Sequence, residues 1–301
     1  MGHELWAEVS AAISLVDQDF FDNDDYAHST ALIVRCHVWS VLNTAATSWA
    51  AVPGHWPRDM RPRQLPSQST LSRRLRGVEF EQFLARLEKR LGHLPGALSL
   101  FKRMDGKALP VAAHSTDPHA RWGRGAGQKA KGYKLHAIWA NGAMPLQWRV
   151  AALNVGEQEM ARRMLRDLDP QSPGYVGADS EYNSSRLFDQ AAASEHRLIC
   201  PRQRPGKGLG HIYQSTHRAR SMDLLEGPTR TLTGFGPRML RERTQIERDF
   251  GNCVSFTGGL GGLPAWVRTY GRVRRWVWTK LLINAARIRI LHRKRKPASD
   301  A

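Results

Sequence analysis

The chain has 301 residues, enough for a catalytic domain with a sizeable core and a smaller attachment, and 41% of them are hydrophobic. Its 45 lysines and arginines against 27 acidic residues leave a formal charge of +18, far beyond what solubility requires. Such an excess points to a polyanionic partner, nucleic acid first and an anionic membrane surface second. Cys36, Cys200 and Cys253 are isolated and lack CxxC spacing, which argues against a disulfide framework and a structural zinc site and leaves them as core thiols. The segment 1–9 carries Glu4 and Glu8 and no basic flank, unlike a signal peptide. The longest apolar run, 31–52, is interrupted by Arg35, His37 and Asn43 and reads as a buried amphipathic helix rather than a membrane span. A cytoplasmic, nucleoid-associated protein without a membrane partner is expected.

The first hundred residues read as helical. Asp17, Asp19, Asp22, Asp24 and Asp25 break the first helix and serve as caps and solvated turn residues rather than as a metal cluster. Pro66, Ser67 and Ser69 form a turn and N-cap, after which Thr70 to Arg76 present Ser72, Arg73, Arg74 and Arg76 on a short helix. This is the pattern of a DNA-recognition helix in a helix-turn-helix, and also of a polar surface helix.

Beyond Pro95 the pattern changes to strands. Leu98 to Asp105 and Ala108 to His114 are expected to pair as a hairpin about Asp105-Gly106-Lys107, and Tyr133 to Ala140 to pair with Met144 to Ala151 across Asn141-Gly142. A helix over 156–168, a short buried strand over 175–178, a helix over 184–193 and a strand over 197–200 follow. Antiparallel strands succeeded by alternating helix and strand make an α/β sheet.

Between the hairpins, 114–134 is basic, glycine-rich and expected to be a mobile loop. Gly123, Gly125 and Gly127 fail the dinucleotide-binding spacing because Gln128 stands where another glycine is needed, and 204-RPGKGLG-210 lacks the leading glycine and the Ser or Thr of a P-loop. No nucleotide cofactor is indicated. Both segments instead offer phosphate contacts through Arg121, Arg124, Lys129, Lys131, Arg202, Arg204 and Lys207. Asp117 and Glu181 stand near the candidate ligands in sequence but read as solvated loop residues or supports. Residues 201–235 show little periodicity and read as a loop.

In 241-RERTQIERDFGNCVSF-256, helical spacing puts Met239, Ile246, Phe250 and Cys253 on an apolar stripe and aims Arg243 and Glu247 in another common direction. Taken alone, that pair fits an ordinary surface ion pair, which stabilises a helix by roughly 0.2–0.5 kcal/mol. Asp105 and Asp179, however, both interrupt or end strand-like runs. Two strand-borne aspartates with one helix-borne glutamate suit phosphoryl transfer. Two divalent cations roughly 3.5–4 Å apart need shared carboxylate oxygens, one ion activating the attacking oxygen and the other stabilising the leaving one. A final helix from about Pro264 to Arg293 carries Trp266, Trp276 and Trp278 among Arg268, Arg272, Arg274, Arg275 and Lys280. Leu281, Leu282 and Ile283 are expected to pack on the sheet, and the tryptophans either fill the core or stack on an unpaired base. The basic tail 292–297 is a phosphate-binding arm or a solubilising end.

With 105-DGK-107, 131-KGYKLHAIWANGAMPL-146, 177-GADSEYNS-184 and 243-RTQIERDFG-251 in view, the chain from Ser67 to Arg293 resembles the DDE transposases of bacterial insertion sequences. One subgroup of that family carries a Tyr, Arg, Glu, Lys signature on its last helix. Arg243 and Glu247 match it, while Leu240 and Val254 replace the Tyr and Lys, whose phosphate contacts would pass to Arg248 or to downstream arginines. The resemblance implies a ribonuclease H-like mixed sheet flanked by helices over 97–260, preceded by an all-helical DNA-binding domain over 1–96 and followed by a basic helix and tail over 261–301 packed on the catalytic domain. It implies Asp105, Asp179 and Glu247 as catalytic residues holding two Mg²⁺ ions, with Mn²⁺ as a substitute. It implies cleavage at the element's terminal inverted repeats and strand transfer into target DNA, by a homodimer holding two ends. Two alternatives remain open: a nuclease on the same core without strand transfer, and a non-catalytic DNA-binding regulator.

Overall fold

The computed structural model describes residues 2–22, 26–94, 100–125, 127–203, 214–227 and 233–295. Contacts divide the chain into a helical unit, residues 1–95, 252–267 and 275–301, and a sheet unit, residues 96–251 and 268–274.

The helical unit contains α1 (Gly2–Gln18), α2 (Thr30–Leu42), α3 (Gln68–Arg74) and α4 (Val78–Gly92), of which α2 and α3 carry serine caps. Ser29 accepts from the Leu32 amide at the start of α2, and Ser67 accepts from the Thr70 amide at the start of α3. Asp22 adds a second cap to α2, accepting from the Thr30 hydroxyl at 2.8 Å. Trp39 packs with Trp6 and Trp56 at ring separations of 5.0 and 5.1 Å. Arg35, inside the apolar run, satisfies its charge on the Ser10 and Ser14 hydroxyls of α1.

The C-terminal helix, α10, runs Tyr270–Arg295, and from Arg275 onward it belongs to the helical unit. Leu281, Leu282 and Ile283 are buried there, so the expectation that they pack on the sheet is corrected. Lys280 supplies the reason: its ammonium, in the middle of an apolar stretch, donates to the carbonyls of Val41 at the end of α2 (2.7 Å) and of Gly258 (2.9 Å). Burial draws its pKa down to about 8. Further along, Arg289 donates to Glu8 at 3.2 Å and to the His93 carbonyl at 2.8 Å. Trp276 and Trp278 are buried and fill the core. No described helix is long and apolar enough to cross a membrane, and all three cysteines are buried thiols.

The sheet unit holds six strands: β1 (Phe101–Pro110), β2 (Arg121–Gly125), β3 (Gln128–Trp139), β4 (Gln147–Ala152), β5 (Gly174–Gly177) and β6 (His196–Ile199). Their order is β2-β3-β1-β5-β6, with β4 also on β3. β3 is antiparallel to its partners, whereas β1, β5 and β6 are parallel, so the sheet is mixed. α5 (Glu157–Arg166), α6 (Ser185–Ala193) and α7 (Thr216–Glu226) share one apolar core with it, built on Met104, Ile138, Met164, Leu165, Val176, Phe188 and Leu198. This architecture is compatible with a nuclease-like core.

Three local expectations are corrected. Asp105-Gly106-Lys107 is no turn: these residues pair in register with Ala137, His136 and Leu135, because β3 is long enough to carry one unbroken β1. The supposed mobile loop over 114–134 contains β2 and the start of β3, turning at Gly127, whose φ of +82° favours glycine. The supposed loop over 201–235 contains α7, capped by the Ser215 hydroxyl. Arg204 and Lys207 lie outside the described residues.

Asp117 is a further departure, since it is neither solvated nor close to exposure. Buried at 2% exposure, its carboxylate accepts from the Tyr133 hydroxyl (2.8 Å), the His119 amide (2.9 Å) and the Thr269 amide (2.9 Å). Replacing Asp117 by Ala strands these donors, so the sheet unit should lose about 2–4 kcal/mol in urea denaturation, against about 1 kcal/mol for Tyr133→Phe. In the helical unit, buried His37 faces Phe80 edge-on at 5.4 Å, and burial followed by the charge of Arg275 lowers its pKa to about 3. Its folded-state value lies below its unfolded one, so the unfolded chain binds the extra proton and stability falls as pH drops from 6.5 toward 3. His37→Leu should match the parent within about 1.5 kcal/mol at neutral pH, where volume is nearly conserved. Near pH 4.5, denaturation midpoints should rank the variant above the parent.

Candidate active site

The register of β1 and β5 sets the geometry. Arg103 pairs with Gly177 across parallel strands, so two residues further along each chain Asp105 and Asp179 come level. Neighbouring strands lie roughly 4.8 Å apart, which brings the two carboxylates into each other's field. Burial, and then the negative charges of Asp179 and Glu157, push Asp105 up to about 6, against the lowering pull of the Gly106 amide (2.7 Å) and of Arg243.

Asp179 is fixed at the exit of β5 by local chemistry. Its carboxylate caps a 3₁₀ turn over Ser180–Tyr182, accepting from the Glu181 amide at 2.9 Å. Its carbonyl accepts from the buried Cys200 thiol at 2.6 Å. Asn183 then ties the turn to β6 by donating to the Cys200 and Pro201 carbonyls, and Arg218 of α7 holds Asn183 at 2.8 Å.

Glu157 opens α5 and pairs with Lys134 of β3. Burial would raise its pKa, yet the Lys134 ammonium holds it below the usual range, so Glu157 remains a negative charge beside Asp105. Tyr182 is fully buried, and its hydroxyl lies in the combined field of Glu157, Asp105 and Asp179, which together with burial keeps it protonated. Sequence reasoning missed Glu157 and Lys134. The signal was a glutamate at the first position of a helix after Gly156, with a lysine on the strand that pairs with Asp105's own.

Arg243 approaches the same place. It ends α8 (Phe235–Arg243), and Gly177 makes room for it: a Cβ there would lie 3.3 Å from the Arg243 Cβ and 2.6 Å from the Phe101 ring. The helix read as continuous through Glu247 is broken at Thr244, where the Thr244 hydroxyl bonds the Arg241 carbonyl, and α9 (Gln245–Val254) begins afresh. Arg243 therefore ends one helix, and Glu247 lies in the first turn of the next. α9 is anchored over the face of β1 that carries Arg103 and Asp105: Asp249 pairs with Arg103 at 2.9 Å and Phe250 meets Trp139 edge-on at 6.4 Å. Glu247, two residues before Asp249, is exposed.

Asp105 and Asp179 are hard oxygen donors, and Asp105 has both Asp179 and Glu157 as negative neighbours, a setting suited to a divalent cation. Among the described residues, no three His, Cys, Asp or Glu side chains are grouped closely enough to hold one ion.

The basic residues divide by exposure. Arg73, Arg76, Arg121, Arg124, Lys129, Arg248 and Arg272 are exposed. Arg74 is not: at 7% exposure it donates to the His28 carbonyl and the Thr30 hydroxyl and lies 3.5 Å from the Tyr26 ring centroid, so its expected DNA contact is corrected to a role in the core. Lys131 donates to the Ser115 carbonyl at 2.6 Å, Arg202 pairs with Glu226 at 2.8 Å, and Arg275 is half-buried in the helical unit.

No curated protein and no solved structure matches the chain at a significant level. A family model described as the transposase DDE domain matches residues 104–283, beginning one residue before Asp105 and taking in Asp179, Arg243 and Glu247. That match covers more than half of the chain, which therefore belongs to the transposases with a DDE domain.

Proposed function

We propose that the protein cuts DNA at the ends of its insertion sequence and joins the freed ends to target DNA, with Asp105, Asp179 and Glu247 as its catalytic carboxylates. The observation that carries this reading is the placement of Asp105 on β1 beside Asp179 at the exit of the neighbouring parallel strand β5, with Arg243 packed close to Gly177 of that strand. The strand order β4-β3-β1-β5-β6 supports a sheet of ribonuclease H type. DDE transposases generally use divalent metals, and here Asp105, Asp179 and Glu247 would hold two Mg²⁺ ions, with Mn²⁺ as a substitute. Bound cations would supply activation of the attacking oxygen and stabilisation of the leaving one.

The chain's own residues do the rest. Asp179, its carbonyl held by the Cys200 thiol and its carboxylate by the Glu181 amide, presents its second carboxylate oxygen. Arg243 offers a guanidinium to a non-bridging phosphate oxygen next to the two aspartates. Hydrolysis at the element end frees a 3′ hydroxyl, and attack of that hydroxyl on a target phosphodiester forms one ester bond as it breaks another. No covalent enzyme intermediate and no nucleotide cofactor enter the balance. Arg73 and Arg76 at and beyond α3 would contact the terminal inverted repeats, while the exposed cations of the sheet unit hold phosphates. Two ends must be held together, so a homodimer on DNA in the bacterial cytoplasm, associated with the nucleoid, completes the reading.

Asp179→Asn should cut Mg²⁺-dependent nicking of DNA carrying the flanking inverted repeats by at least about a hundredfold while leaving DNA binding intact. Unchanged nicking by this variant sinks the assignment, and nicking without joined donor–target product favours a plain nuclease. Binding itself should weaken steeply between 50 and 200 mM salt, by roughly 10³–10⁵ if six to ten phosphates are contacted, and Arg124→Ala should lower the log–log slope by about one.

A further inference from the structure

We propose that Trp122 is a stacking platform for one unpaired base beside the cleaved phosphodiester, flanked by Arg124 and Lys129 on the adjoining phosphates. This deepens the reading of the protein as a DNA-cutting transposase and rests on it. Trp122 lies on β2, an edge strand, and keeps 49% of its surface exposed. A lone exposed aromatic residue is common on protein surfaces. Two features set this one apart.

The first is the face it occupies. Side chains alternate along a strand, and directly opposed residues on paired strands share a face. Trp122 pairs with Lys131 and Arg124 with Lys129, so all four side chains leave the β2–β3 ribbon on one face. The Lys129 ammonium lies 5.9 Å from the Trp122 ring centroid. Lys131 is turned back onto the Ser115 carbonyl, which leaves Arg124 and Lys129 as the exposed cations around the ring. On the opposite face, which also carries Arg121 and Gln128, the two glycines of β2 are pressed against Leu153: a Cβ on Gly123 would lie 2.2 Å from the Leu153 carbonyl oxygen, and one on Gly125 would lie 3.2 Å from the Leu153 side chain. The ribbon is thus seated by its glycines with the aromatic and basic face outward. A flat ring ringed by cations is complementary to a base with its phosphates and poorly suited to an apolar protein partner.

The second feature is position. Arg124 lies 3.9 Å from Glu181, whose amide is bonded by the Asp179 carboxylate at 2.9 Å. One ion pair and one turn therefore separate the ribbon from a proposed catalytic aspartate. Of the other tryptophans considered for stacking, Trp276 and Trp278 are buried, and Trp266, 45% exposed, belongs to the helical unit and not to the sheet unit that carries Asp179. A strand being cut next to Asp179 would pass the Trp122 ring.

The test uses the full chain and two probes: a blunt duplex carrying the flanking inverted repeat, and the same duplex with a short unpaired thymine arm containing one 2-aminopurine. The parent protein should prefer the armed probe about tenfold and quench the 2-aminopurine. Trp122→Ala should bind both probes alike, with blunt-duplex affinity and salt dependence retained and the quench lost, whereas Trp122→Phe should keep most of the preference. If Trp122→Ala keeps both preference and quench, the stacking role is overturned while DNA binding stands. If the parent binds neither probe, the DNA-cutting reading fails and the platform with it.

Discussion

Two carboxylates brought together by adjacent parallel strands, Asp105 within β1 and Asp179 just past the end of β5, are the constraint from which the rest of the sheet unit follows. Nothing in folding favours placing Asp105 and Asp179 in each other's field: burial first, and the charges of Asp179 and Glu157 after it, push Asp105 up to about 6. The ladder enforces it, since the pairing of β1 with β5 cannot slip by one residue without turning Met104 out of the core and Asp105 into it. Around this fixed point the chain supplies partial relief: the Gly106 amide on Asp105, the Glu181 amide on Asp179, and Arg243 let in by Gly177. None of these donors neutralises the pair, and the residual negative charge is the feature that a cation-assisted phosphoryl transfer would use.

Much of this frame was legible in the sequence because it is written in short-range chemistry. Periodicity placed α5, β5, α6 and β6 within a residue or two, and the Ser67 cap placed α3. Turn propensity misled at Asp105-Gly106-Lys107, where a long partner strand overrode it. Composition misled at 114–134: glycines read as mobility are there because β2 lies against Leu153, a contact no local rule contains. The candidate site was legible as two aspartates in strand-like runs, although only Asp179 stands at a strand exit and Asp105 lies within β1. Glu157 with Lys134, the inward use of Arg74, and the break at Thr244 were not, because each depends on which distant residue a side chain meets.

The same distinction explains the C-terminal helix. Its apolar residues suit either a sheet or a helical bundle, and hydrophobicity alone does not choose. Lys280 chooses: a buried ammonium needs acceptors, and the open carbonyls at the end of α2, with that of Gly258, are the ones it finds. Polar groups buried within apolar surface thus settle packing partners that the hydrophobic pattern leaves undetermined.

An acidic centre on a protein of charge +18 also poses an electrostatic problem. DNA is drawn by the sum of the charges at long range, but at contact distance Asp105, Asp179 and Glu157 repel every phosphate that must approach them. Guidance therefore has to come from cations close enough to act inside the screening length of roughly 8–10 Å. Arg243, whose charge acts on Asp105, meets that demand, and so does Arg124 of the β2–β3 ribbon, 3.9 Å from Glu181 in the turn that Asp179 caps. The placement of these cations, more than their number, is what lets a polyanion reach a cluster of carboxylates.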